Sequence, residues 1–184
     1  MAREDDEFTL VFQANYAGLC RFLECMLGGR GATTAQDIAQ ESFMRLYKLG
    51  AGALPVAEAR FWLFRVARNL ALNELSRRET RGRFVRRVRE LFASREPDPA
   101  ENLEREERRQ ALLKLLQTLP EHQRAALLLR EQGEMSYREI ARVLNVSESK
   151  VKVDIFRARE TLRDHWQRAQ KSLTAGEAAA RRGA

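Results

Sequence analysis

Residues 135–163 read MSYREIARVLNVSESKVKVDIFRARETLR, and this stretch decides the fold of the second half of the chain. Ser136 and Glu139 have the spacing of a capping box, in which a hydroxyl and a carboxylate satisfy amides that a helix start leaves without partners. A short helix is therefore predicted, ending at Asn145, a residue that can adopt the left-handed conformation. Ser147 can cap a second helix. The stretch predicts a helix-turn-helix.

The second of these helices has two contrasting sides. Its apolar stripe, suited to packing on the first helix, consists of Val151, Ile155, Ala158 and Leu162. Its other side carries Lys150, Lys152, Val153, Arg157 and Arg159. In a DNA major groove, lysine and arginine reach phosphates or guanine edges, and an apolar group can contact a thymine methyl. A solvated charged surface is the alternative, but the paired helices and tight turn favour DNA contact.

The composition of the chain limits its fold class and the kind of partner that it can bind. The chain has 184 residues, of which 32% are charged and 44% hydrophobic, with a formal net charge of +7 and a pI near 10.0. This length suits one domain or two small ones, and the basic excess favours polyanionic partners, although it also fits plain solubility. Helical periodicity is the only strong pattern, so we expect an all-α protein.

The cysteines and the N-terminus indicate a cytoplasmic protein. Cys20 and Cys25 are the only cysteines and are far in sequence from His122 and His165. We therefore expect two reduced thiols and neither a zinc site nor a disulfide framework. The N-terminal MAREDDEF is acidic and lacks the apolar core of a signal peptide, and no stretch is apolar and long enough to cross a bilayer. No stable membrane insertion is expected.

The periodicity and the turn clusters divide the chain into two small helical domains joined by a charged linker. We expect a helical domain over 1–80, an arginine-rich and then acidic linker over 81–105, a helix-turn-helix domain over 106–169, and a disordered alanine-rich tail over 170–184. In the first helix, from Phe8 to Leu27, Ala17 and Gly18 could interrupt the apolar stripe.

Two stretches of the first domain suggest binding surfaces. One exposed stripe consists of Asp37, Gln40, Glu41, Met44 and Lys48. Carboxylates beside an exposed methionine suit a helix-on-helix contact with a basic partner, and a plain solvated surface is the alternative.

A second stripe lies on the long helix that begins at about Val56. It consists of Arg65, Arg68, Asn69, Asn73 and Ser76, with Phe61 one turn ahead. Rings, cations and amides in this arrangement suit unstacked bases, because rings stack, cations hold phosphates and amides read base edges. Core packing is the alternative for the neighbouring aromatics Trp62 and Phe64.

Three segments together resemble the extracytoplasmic-function (ECF, group IV) sigma factors of bacterial RNA polymerase. AQDIAQESFMRLYKL, at 35–49, looks like the helix that binds the polymerase clamp. ARFWLFRVARNLALNELSRR, at 59–78, looks like the segment that melts and reads the downstream promoter element. Residues 115–163 are similar to the fourth region, which binds the upstream element and the polymerase flap. The resemblance covers Phe8 to Arg168 and implies a promoter-specificity subunit that is not an enzyme.

The resemblance also implies roles for individual residues. Contacts with the clamp helices would come from Asp37, Gln40, Glu41 and Met44, and Leu127 and Leu128 would help to seat the flap. Single-stranded downstream DNA would meet the stripe of Arg65, Arg68, Asn69 and Asn73, with Asn69 near the flipped base. Duplex upstream DNA would meet Lys150, Lys152, Val153, Asp154, Phe156 and Arg157. The same resemblance implies an anti-sigma protein as a further partner.

Two positions depart from the family pattern. Asp154 stands where many members carry a basic residue, and an acid near phosphates repels them unless it accepts from a cytosine amino group. Ala53 and Leu54 stand where some members have an aromatic residue.

Two other function classes are weaker alternatives. A regulator with its own operator would share the helix-turn-helix but has no use for the arginine-asparagine stripe of the first domain. An enzyme is less favoured still, because no nucleophile-base pair, metal cluster or phosphate loop is visible. No cofactor or metal is therefore expected.

Overall fold

The computed structural model describes residues 2–29, 32–50, 53–89 and 103–180. Within these ranges the secondary structure consists of helices and contains no strand, so the all-α prediction is confirmed. The helices are α1 (Ala2–Leu27), α2 (Ala32–Leu49), α3 (Val56–Arg89), α4 (Leu103–Gln117), α5 (Glu121–Glu131), α6 (Tyr137–Leu144) and α7 (Glu148–Ala180).

The first half of the molecule is a three-helix bundle in which α1, α2 and α3 all pack on one another. Apolar residues at helical spacing meet along its axis, among them Leu19, Phe22, Leu23, Met26, Ala39, Leu63 and Ala67, all nearly inaccessible to solvent. The rings of Phe22 and Phe64 meet edge to face, with centroids 5.4 Å apart. Burial of these side chains supplies most of the stabilisation of the bundle.

The second half is built around α5, which packs on both α6 and α7. The stripe predicted for α7 lies inward, because Val151, Ile155 and Ala158 are buried and Leu162 is partly buried against them. Ile140 and Val143 of α6 face the same core. The buried apolar side chains of both halves form one continuous cluster, since α1 also contacts α4 and α5, and α3 contacts α6.

A glycine turn after α1 lets the two halves approach closely. Gly29 has φ +71°, and a Cβ atom placed there would lie 2.4 Å from Cδ1 of Leu113 in α4. The left-handed backbone favours glycine, and a larger residue would also require the Leu113 side chain to shift. The turn is therefore part of the junction between the halves.

Three helices are longer than the sequence predicted. α1 is continuous through Ala17 and Gly18, because packing against α2 and α3 offsets the roughly 1 kcal/mol by which glycine disfavours a helix interior. α3 continues to Arg89 and α4 begins at Leu103, so the predicted linker is helical at both ends, and residues 90–102 lie outside the described residues. α7 continues to Ala180 and so includes residues 170–180, for which a disordered tail was expected.

The capping box of α6 yields the first testable prediction. We expect Ser136→Ala to lower the free energy of unfolding by about 1 kcal/mol, because it removes the hydroxyl that accepts from the Glu139 amide. Urea denaturation followed by circular dichroism at neutral pH measures this loss. Ser149→Ala, an exposed serine in the first turn of α7, is the matched control and should change stability little. Equal effects of the two substitutions would contradict the role of the cap.

The same cap should respond to pH. The Ser136 amide donates to the Glu139 carboxylate and lowers the pKa of that group. A glutamate whose folded pKa is depressed stabilises the fold above its unfolded-state pKa, and this stabilisation is lost as the pH falls through the folded pKa. The difference in the free energy of unfolding between the wild type and Glu139→Gln should therefore become smaller as the pH is lowered.

Candidate nucleic-acid interfaces

The turn between α6 and α7 is fixed by local hydrogen bonds. Both bonds of the predicted capping box are present at Ser136. Asn145 caps the C-terminus of α6 with a left-handed φ of 55° and ψ of 51°, and the Val146 amide donates to the Ala141 carbonyl at 3.1 Å. Ser147 then accepts from the Lys150 amide at 3.2 Å and starts α7. These bonds set the direction in which α7 leaves the turn.

The outward side of α7 combines cations with apolar groups. Its exposed members are Lys150, Lys152, Val153, Phe156 and Arg157. Val153 is 44% exposed and Phe156 is 62% exposed, which is unfavourable in water unless a partner covers them. The Lys152 ammonium lies 6.0 Å from the centre of the Tyr137 ring, so α6 helps to place this cation. Exposed cations beside apolar groups are the chemistry that a DNA major groove can accept.

The predicted stripe on α3 is divided by the structure. Arg65, Asn69 and Asn73 are exposed, whereas Arg68 is half-buried. Nε and a terminal nitrogen of Arg68 donate to both carboxylate oxygens of Glu121 in α5, at 2.7 and 2.8 Å. Arg65 donates to the backbone carbonyl of Arg142 at 3.0 Å. Two of the predicted DNA-binding cations therefore contact the second half of the chain.

The aromatic residues at the start of α3 have different environments. Phe64 is buried, and Trp62 is half-buried against the core, so core packing accounts for both. Phe61 is also half-buried, and the Arg142 guanidinium lies 4.9 Å from the centre of its ring. Phe61 is therefore the only one of these three rings described in contact with a charged group.

The acidic stripe of α2 lies on the surface as predicted. Asp37, Gln40, Glu41 and Met44 are all exposed, Met44 to 46%. Glu41 accepts from Arg45 at 2.8 Å in an exposed pair of the kind that contributes little to stability. This surface offers carboxylates around an apolar centre.

The comparisons with known proteins identify the family. The sigma-70 region 2 family matches residues 11–81, and sigma-70 region 4 matches residues 109–162. The chain is 35% identical over 134 residues to the ECF RNA polymerase sigma-E factor of Salmonella typhimurium. The aligned region covers 68% of this chain and 70% of that protein. The chain belongs to the ECF sigma factors. It is a sigma factor for transcription initiation.

Other relatives match a larger share of the chain. The sigma factor is 32% identical over 169 residues to the RNA polymerase sigma-H factor of Pseudomonas aeruginosa. The aligned region covers 87% of this chain and 84% of that protein. The ECF RNA polymerase sigma factor SigM of Bacillus subtilis is 29% identical over 154 residues, or 83% and 91% of the two chains. The fold is similar to RpoE of Bartonella quintana in complex with the anti-sigma factor NepR, with a TM-score of 0.59, 23% identity, and coverage of 91% and 98%.

Asp154 does not lie on the outward side of α7, where the resemblance put it. The residue is 1% exposed, and the Lys150 ammonium donates to both of its carboxylate oxygens, at 2.6 and 2.7 Å. Nε2 of His122 in α5 lies 3.5 Å from the same carboxylate. The prediction that Asp154 faces the groove is wrong in this structure, because its position in the helix turns it toward α5. Its carboxylate compensates a cation of the sigma factor.

Leu127 and Leu128 are likewise inside the sigma factor. They are 6% and 4% exposed and belong to the common core. Leu127 and Leu128 were expected to help seat the polymerase flap. In this conformation they cannot contact the flap directly, because neither side chain reaches the surface. Any such role would be to support the residues around them.

Sequence reasoning did not anticipate the residues that join the two halves. Glu58, Glu121 and Arg142 belong to no predicted site, yet all three contact the predicted α3 stripe or its neighbours. Arg142 pairs with Glu58, at a separation of 84 residues. Such contacts have no signature in local sequence, because they depend on how the two halves pack.

Both cysteines lie in α1 and are partly buried. Cys20 and Cys25 are free thiols, and burial raises the pKa of each. They are therefore protonated and poorly reactive at neutral pH. Among the described residues, no histidine, cysteine, aspartate and glutamate side chains cluster as a metal site would require, and no helix there is apolar and long enough to cross a membrane.

The Asp154–Lys150 pair leads to a prediction about DNA binding. Asp154→Asn should strengthen binding to duplex DNA and steepen its salt dependence, by up to about 0.9 in the slope of log K against log salt, because Lys150 regains an uncompensated charge. Fluorescence anisotropy over a salt series measures the slope. Asp164→Asn, an exposed residue about 15 Å further along α7, makes the same change in net charge and serves as the control. Identical slopes for the two variants would contradict the role of Asp154.

Proposed function

We propose that this sigma factor uses three surfaces in initiation: the acidic stripe of α2 for core polymerase, the stripe of α3 for single-stranded promoter DNA, and the outward side of α7 for duplex DNA. The observation that supports this division best is the exposure of Val153 and Phe156 between cations on α7. Apolar groups in that setting are stabilised by contact with a macromolecule that carries both anions and methyl groups.

The duplex contact would be made from the start of α7. Lys152 and Arg157 supply charges for phosphates or guanine edges, while Val153 and Phe156 supply apolar area for a thymine methyl. Lys150 is held by Asp154 and contributes less net charge. This face would read the upstream promoter element.

The single-stranded contact would be made from α3. Asn69 and Asn73 are exposed and can donate to and accept from base edges, and Arg65 and Arg68 can hold phosphates once their present partners release them. Phe61 offers a ring for base stacking beside them. This face would capture the melted downstream element, with Asn69 nearest to the flipped base.

The polymerase contact would combine two elements. Asp37, Gln40, Glu41 and Met44 present charge and adaptable apolar area to the clamp helices of core polymerase. Leu127 and Leu128 support the part of region 4 that meets the flap.

The same proposal extends to the wider setting of the sigma factor. We place it in group IV, acting in the cytoplasm with no enzymatic activity of its own. The similar RpoE of Bartonella quintana is in complex with an anti-sigma factor, which supports an anti-sigma partner here.

Transcription in vitro tests the DNA assignments. Core polymerase is given a genomic DNA library with and without the protein, and we expect discrete transcripts only with it. Asn69→Ala should lower their yield about tenfold, because a lost base contact is worth about 1–3 kcal/mol. Permanganate reactivity of unpaired thymines should fall in parallel while the upstream footprint stays. If Asn69→Ala transcribes normally, α3 does not capture the base through that residue.

Charge reversal on α2 tests the polymerase assignment. The double variant Asp37→Lys with Glu41→Lys should weaken binding to core polymerase at least about tenfold, since like charges then oppose a basic partner. Both residues are exposed, so the fold should persist. Glu107→Lys with Glu160→Lys makes the same change in net charge on exposed residues elsewhere and should bind normally. Pull-down with core polymerase compares the two double variants. Equal binding by both would exclude the α2 surface as the polymerase contact.

A further inference from the structure

We infer that the buried Asp154 carboxylate turns Lys150 into a specificity-determining residue, which recognises a guanine edge in the major groove instead of a phosphate. The inference rests on the proposed function of α7 and deepens it, because it assigns a base contact to the first turn of that helix. In this arrangement Lys150 touches the DNA. Asp154 is a positioning residue, which acts through Lys150 and does not reach the DNA itself.

The Asp154 carboxylate lies between two helices. Its side chain is only 2% exposed, and Nε2 of His122 in α5 lies 3.5 Å from its Oδ1 atom. The Lys150 ammonium donates to Oδ1 and Oδ2, at 2.6 and 2.7 Å. A buried carboxylate needs a cation within hydrogen-bonding distance, so the ammonium is kept in this place.

Lys150 is held at both of its ends and is still open to solvent. Its backbone amide donates to the Ser147 hydroxyl at 3.2 Å, its ammonium donates to Asp154, and its side chain is 46% exposed. Lys152 and Arg157, on the same surface, have no ion-pair partner among the residues that the structure describes. Lys150 has therefore already lost the rotational freedom that a lysine ordinarily loses on binding.

The pair with Asp154 changes what Lys150 can offer to DNA. An ammonium has three donors, and the two contacts with the carboxylate leave one of them free. The negative carboxylate also compensates the positive charge, which weakens the attraction of Lys150 to phosphates. Lys150 is therefore a poor nonspecific cation, but it keeps one hydrogen bond of fixed direction.

The position of Lys150 in α7 favours a base edge as the acceptor of this bond. Lys150 lies in the first turn, and in helix-turn-helix proteins the N-terminal residues of the second helix contact base edges. In the major groove guanine presents two neighbouring acceptors, O6 and N7. Cytosine and adenine present amino donors there, which repel an ammonium, and thymine has one acceptor beside its methyl group. A fixed ammonium therefore selects a G·C pair.

Transcription from a randomised promoter tests this inference. The template is a promoter found by genomic transcription, with its upstream element randomised and linked to a barcode in the transcript. Holoenzyme made with the full-length sigma factor transcribes the pool, and sequencing of the RNA gives the base preference at each position. For the wild type we expect a position at which a G·C pair is favoured about fivefold, the lower end of the effect of a direct base contact.

Three variants locate the origin of that preference. Lys150→Ala and Asp154→Asn should each reduce it to less than about twofold and leave the preferences at other positions unchanged. Total transcription should not fall with Asp154→Asn, because the released lysine can bind phosphates. The double variant, which also removes the buried charge, should match Lys150→Ala, because Asp154 acts through Lys150. Asp164→Asn makes the same change in net charge as Asp154→Asn on an exposed residue and should keep the preference.

Two results would overturn the inference. In the first, Lys150→Ala or Asp154→Asn keeps the wild-type preference at every position, so that no base is read through this pair. In the second, Asp154→Asn lowers transcription from all sequences alike, which is the result expected if Asp154 only stabilises the fold.

The same experiment separates this inference from the proposed function. If the wild type shows no preference at any position of the upstream element, α7 does not read that element and the proposed function fails. If preferences are present but none depends on Lys150 and Asp154, the proposed function stands and the inference alone is refuted.

Discussion

The Arg68 guanidinium imposes a constraint that joins the two halves of this sigma factor. Only 17% of its side chain is exposed, and a charge so far removed from water needs an anionic partner. Glu121 supplies two oxygens, which accept from Nε and one terminal nitrogen of the planar guanidinium in a bidentate pair. This pair therefore fixes α3 of the first bundle against α5 of region 4.

Asp154 and Lys150 show the same use of internal acids at the surface of α7 that is proposed to bind duplex DNA. A net charge of +7 would attract any polyanion, and acids placed beside chosen cations reduce that attraction locally. Asp154 is buried in the same helix as the cation that it compensates, whereas Glu121 compensates a cation of the other half. The first pair is local to α7, and the second joins α3 to α5.

Local chemistry explains which features could be predicted. The capping box at Ser136, the left-handed Asn145 and the inward stripe of α7 depend on neighbours within a few residues, so their patterns were sufficient for the all-α fold and the helix-turn-helix. The burial of Asp154 was missed because a residue one turn from Lys150 can face either DNA or α5, and only packing decides. Contacts between the halves, such as Arg142 with Glu58, join residues 84 apart and could not be inferred from periodicity.

The two surfaces proposed to bind DNA differ in their exposure. The outward side of α7 is open to solvent, including Val153 and Phe156. On α3, by contrast, Arg65 is held by the Arg142 carbonyl and Arg68 by the Glu121 carboxylate. Under the proposed function α7 can therefore meet duplex DNA as it stands, whereas the contacts that Arg65 and Arg68 make with the second half compete with phosphates for the same donors. Single-stranded promoter DNA exists only after the duplex has been bound and melted, so the more accessible surface is the one whose ligand is present first.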